Sequence, residues 1–84
     1  MPYIKQEDRG KLDEMLVLLG DRIETAGEFN YCVSVLAKKY LEHNGKNYQK
    51  MNDLMGALEG IKLELYRRTI SDYEDQKMEE NGDF

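Results

Sequence analysis

Apolar residues return along most of this chain at the period of an α-helix. Leu12, Leu16, Leu19 and Ile23 are spaced 4, 3 and 4 apart, and Met15 and Leu18 widen the stripe they form. The spacing predicts a first helix over residues 13–24, with Asp13 as its N-cap and residues 1–12 as an arm carrying one helical turn. Phe29, Val33, Leu36 and Tyr40 form a second stripe, with Cys32 and Leu41 at its margins, and predict a helix over 26–44. Met51, Leu54, Leu58, Ile61 and Leu65 are spaced 3, 4, 3 and 4, close to a seven-residue repeat, within a helix expected over 48–70.

Start and stop signals fall between these stripes. Thr25-Ala-Gly-Glu28 has the T-x-x-E form of a capping box, in which hydroxyl and carboxylate each satisfy a free backbone N–H. His43-Asn44-Gly45 reads as a helix stop, because glycine adopts the left-handed conformation that closes a helix. Asn47 is the expected N-cap of the third helix. An unbroken helix over 48–80 would be roughly 48 Å long, whereas a compact domain of this length is only about 30 Å across. Ser71-Asp-Tyr-Glu74 repeats the capping pattern and predicts a kink or cap at Ser71, a fourth helix over 72–80 and a frayed tail over 81–84. The expected fold is therefore all-α, a single small domain of three to four helices.

Two glycines interrupt the third pattern. Gly56 and Gly60 lie four apart with Leu63 nearby. Glycine inside a helix costs about 1 kcal/mol against alanine, and the usual reason to keep it is close approach of another backbone. These three residues are the expected oligomer interface.

Length and composition sharpen this. At 84 residues with a single cysteine, Cys32, no intrachain disulfide can staple the core. Self-association into a homo-oligomer is the remaining route to burial. The lone cysteine, with no leader or apolar run of membrane-spanning length, fits a cytoplasmic protein that does not enter a membrane. A net charge of −5 repels phosphate backbones, so duplex nucleic acid is not an expected partner.

Several segments together resemble a family of short uncharacterised proteins of bacteria, archaea and phages. The resemblance lies in the MPYI opening at Met1–Ile4, the TAGE-N-Y start at Thr25–Tyr31, the ND-x-x-G-x-LE…KLE-x-YRR helix at Asn52–Arg68 and the YED-x-K-x-x-ENGD end at Tyr73–Asp83. It spans nearly the whole chain and implies no established activity. The chain departs from the family in ending at Asp83-Phe84, where a valine–tyrosine pair is more usual.

Catalytic chemistry has little to work with. His43 is the single histidine and stands at a helix end, so neither a zinc site nor a Glu-x-x-His di-iron site can be assembled. Cys32 lacks a nearby base. No cofactor or metal is expected. Asp21 with Glu24, and Asp72 with Asp75, have the one-turn spacing that a magnesium-dependent nucleotide hydrolase would use, in a chain with 17 acidic residues.

Tyr66-Arg67-Arg68 concentrates cationic charge in an otherwise acidic chain. Guanidinium binds phosphate and tyrosine offers a stacking face. With Tyr3 and Lys5 of the arm, these residues form the candidate site for a nucleotide-like anion. Glu64, four before Arg68, offers a competing ion pair. The pattern is similar to that of small all-helical phage oligomers that sequester cyclic nucleotide signals of host defence, a fold-level analogy. The expected function is thus a non-catalytic oligomeric binding protein that sequesters such a signal. The alternatives are an acidic protein-interaction module, for instance one blocking a nucleic-acid enzyme of a host, and the magnesium-dependent hydrolase.

Overall fold

The computed structural model describes residues 3–84, and it is all-helical over them. Met1 and Pro2, the first two positions of the expected arm, lie outside the described residues. The chain divides into two compact units, Met1–Asn44 and Gly45–Phe84.

The first unit opens with a 3₁₀ turn, Gln6–Asp8, followed by α1, Gly10–Gly20, and α2, Ala26–Asn44. α1 differs from the expected 13–24 at both ends. It starts earlier because the 3₁₀ turn runs directly into it: Arg9 is already helical, and its carbonyl accepts from the N–H groups of both Leu12 and Asp13 at 2.9 Å. Asp13 therefore lies in the first turn, where its charge suits the positive end of the helix dipole, and does not cap it.

α1 also stops earlier, and the cause is local. The Glu28 carboxylate accepts from the N–H groups of Glu24 at 2.8 Å and Thr25 at 3.0 Å, while Thr25 Oγ1 accepts from Glu28 N–H at 3.1 Å. Donors committed to the start of α2 cannot extend α1. The end of α1 is closed by Arg22, whose guanidinium donates to the Leu18 carbonyl at 2.8 Å. Across this corner Leu19, Arg22, Ile23, Glu28, Tyr31 and Cys32 line an open groove of about 360 Å³. α1 and α2 do not pack along their lengths among the described residues. Gly45, at φ +96°, closes α2 in the conformation glycine tolerates best.

The second unit is one helical rod. α3, Tyr48–Leu65, begins at Asn47, whose side chain accepts from Lys50 N–H at 2.8 Å. A π-helical segment, Tyr66–Ile70, joins it to α4, Ser71–Asn81. Of the kink or cap expected at Ser71, the cap is absent. An N-cap needs extended backbone, but Ser71 is helical at φ −59°, ψ −43°, and Ile70 before it makes no side-chain cap. The irregularity lies one turn earlier instead, where Ser71 N–H reaches back five residues to the Tyr66 carbonyl. Gly82, at φ +84°, ends α4.

No described residue is buried. Leu19, Ile23, Val33, Leu54 and Leu58 are only partly covered. Leu16 is 55% and Ile61 57% exposed, although both lie on stripes whose period suits a core.

Candidate functional site

Tyr66, Arg67 and Arg68 form most of the π-helical segment. Its backbone is wider than an α-turn, a feature common at functional sites. Arg67 Nη2 lies 2.8 Å from Glu64 Oε1, and Arg68 Nη1 lies 3.6 Å from the same oxygen. Two guanidinium groups thus converge on one carboxylate. The Arg67 and Arg68 side chains remain 69% and 60% exposed, so each keeps donors facing solvent.

Tyr66 turns the other way along the rod. Its hydroxyl donates to Glu74 Oε2 at 3.0 Å. The hydrogen bond to Glu74, and then the charge of that carboxylate, raise the Tyr66 pKa above its usual 10.0. Further along, Lys77 Nζ sits 5.6 Å from the centre of the Tyr73 ring and 3.1 Å from Glu80. That contact lies within cation–π range.

Tyr3 and Lys5 belong to the first unit, and Tyr66, Arg67 and Arg68 to the second. Tyr3 is 92% exposed, and Lys5 is the extended residue that leads into the 3₁₀ turn. Arg9 steadies this stretch by donating from Nε to the Ile4 carbonyl at 3.1 Å.

The glycine face is open among the described residues. A Cβ built on Gly56 or Gly60 meets nothing within 4 Å there beyond the adjoining backbone of its own helix, and Leu63 is 60% exposed. At about 100° per residue, these three fall on the side of α3 opposite Leu54, Leu58 and Ile61. The helix therefore carries two separate contact surfaces, one of small residues and one apolar.

The acidic pairs fare differently from each other. Asp21 and Glu24 follow α1 rather than lying on it, so the helical spacing expected of them is lost. Asp72 and Asp75 keep it within α4. No group of three or more His, Cys, Asp or Glu side chains that could hold a metal ion occurs among the described residues. His43 stands at the exposed end of α2, and Cys32 is a half-exposed free thiol beside the corner groove. Among the described residues no helix is long and apolar enough to cross a membrane.

The tyrosine–arginine run and its Glu64 partner were legible from spacing. Glu74 was not, because it lies eight residues from Tyr66, beyond the one-turn neighbours that helical spacing identifies. No curated protein and no solved structure matches this chain. A protein-family model described as Domain of unknown function (DUF6899) matches residues 1–84, the whole of the chain, which therefore belongs to that family.

Proposed function

We propose that this protein is a non-catalytic helical binding module that completes its hydrophobic core by associating with further copies of itself. One observation carries this: no described residue is buried, while apolar stripes at helical period stand open on both units. Isolated helices gain most of their stability from packing an apolar face. Exposed faces of this kind mark interaction surfaces. A chain of 84 residues without a disulfide gains the burial it lacks from a partner.

The test is whether folding depends on concentration. Helicity by circular dichroism and the thermal midpoint should both rise with protein concentration, since association stabilises by mass action. Light scattering should give a mass above the 9.9 kDa of one chain. A monomer with concentration-independent helicity would overturn the proposal.

A second reading concerns what the assembly binds. Two exposed guanidinium groups share one carboxylate oxygen, which favours a small anion at Arg67 and Arg68, with Tyr66 beside them. A nucleotide-like ligand fits that chemistry, phosphate on guanidinium and base on phenol. Ligand-dependent stabilisation that disappears in Arg67→Ala or Arg68→Ala is its signature.

A further inference from the structure

The apolar stripe of α3 continues beyond Leu65, and the π-helical segment is what carries it on. In an unbroken α-helix, at about 100° per residue, Ile70 and Tyr73 would lie some 90° or more off the line of Leu54, Leu58, Ile61 and Leu65. Hydrogen bonds that close over five residues wind the chain by only about 80° per residue. Across Tyr66–Ile70 the helix is held back by roughly a quarter turn, as if one residue had been inserted. Tyr73 returns to the stripe and Ile70 to its edge. The extended face stays open: Leu65 is 52%, Ile70 40% and Tyr73 59% exposed.

We propose that a second copy of this chain covers this face, running antiparallel, with the crossing point between Ile61 and Leu65. The proposal rests on the self-association reading above and names its geometry.

The layer spacing favours this pairing. Going outward from the crossing point, Ile61 to Leu54 spans seven residues and Leu65 to Tyr73 spans eight. The residue inserted by the π-helical segment adds no turn, so both arms are two turns long. In an antiparallel pair, Ile61 then meets Leu65 of the partner subunit, Leu58 meets Ile70 of the partner subunit, and Leu54 meets Tyr73 of the partner subunit. Without the inserted residue, Ile70 and Tyr73 would leave the face and the outer layers would miss each other.

Charge favours it as well. α4 carries five carboxylates and one lysine. A parallel pair would lay two such segments side by side, and like charges at close range suppress that arrangement. The antiparallel pair sets α4 beside the start of α3, where Lys46 and Lys50 lie.

Cross-linking separates the possibilities. In a Cys32→Ser background, chains carrying Leu58→Cys are mixed with chains carrying Ile70→Cys and oxidised, since a disulfide forms only where Cα atoms come within about 7 Å. The antiparallel pair gives the mixed 58–70 product and little of either symmetric one. Efficient 58–58 and 70–70 products from the separate variants would overturn the antiparallel arrangement while leaving self-association standing. A monomer by light scattering before oxidation would overturn both. Deleting Thr69 removes the inserted residue and should weaken association about tenfold or more, because Ile70 and Tyr73 leave the face. Unchanged association after that deletion would overturn the role given to the π-helical segment.

Discussion

The Tyr66 hydroxyl donates to Glu74 Oε2 at 3.0 Å, so two side chains eight residues apart tie the start of the π-helical segment to the first turn of α4. The folded chain holds the phenolic proton more tightly than the unfolded chain does, because the acceptor is an anion. The sign follows by linkage. The stabilisation is complete below the ordinary tyrosine value of 10.0 and is lost as pH rises through the raised value. Ultraviolet titration should show a late-ionising tyrosine that disappears in Tyr66→Phe. In Glu74→Gln it should move back toward 10.0.

Glu28 gives the opposite dependence. Backbone N–H donors, first that of Glu24 and then that of Thr25, hold its carboxyl below the usual 4.5. Its contribution is present above about pH 4.5 and is lost as pH falls through the lowered value. Glu28→Gln should therefore reduce thermal stability at neutral pH. The gap from the parent protein should close on acidification. A gap that stayed constant down to pH 2 would mean that the carboxylate charge plays no part in this cap.

The glycine face makes a separate prediction. Gly56→Ala and Gly60→Ala should each stabilise the helix by about 1 kcal/mol, since alanine is the better helix former and the added methyl meets no described atom beyond the adjoining backbone of its own helix. If association runs through the apolar stripe, neither variant weakens it, and the added helix stability strengthens it if anything. Weakened association, measured by sedimentation, would instead place the interface at Gly56, Gly60 and Leu63.

Anion binding is tested most directly by a thermal-shift panel of nucleotides, cyclic and linear, on protein freed of ligand. The reading built on Arg67 and Arg68 expects a rise of several degrees with at least one nucleotide, lost in either alanine variant. It also expects attenuation at high salt, because the contacts are exposed and charged. No shift with any nucleotide would remove the ligand and leave the interaction module.

Much of the helical layout could be read from local pattern. Thr25 and Glu28 announced the start of α2, Asn47 that of α3, and Gly45 the end of α2, because each signal acts over three or four residues and needs no distant partner. Ser71 and Glu74 misled for the same reason. The pattern matched a capping box, but the cap also needs an extended backbone, and the chain continues as helix through Ser71. Within the candidate site, Arg68 with Glu64 follows from spacing. The shorter Arg67 contact depends on side-chain conformation, and Tyr66 with Glu74 on a reach of two turns.

The sequence by itself determined that this chain is helical, where most of its helices begin, and which residues form apolar stripes. Those properties follow from φ/ψ preferences, capping chemistry and a 3.6-residue period, all of them local. Only the tertiary structure decided that α1 yields its last turn to the cap of α2. It also decided that a π-helical segment rephases the long rod, and that the stripes stay open within each unit among the described residues. A shared N–H donor, an inserted residue and the burial of a side chain are each settled by competition among neighbours, which a period along the chain does not encode.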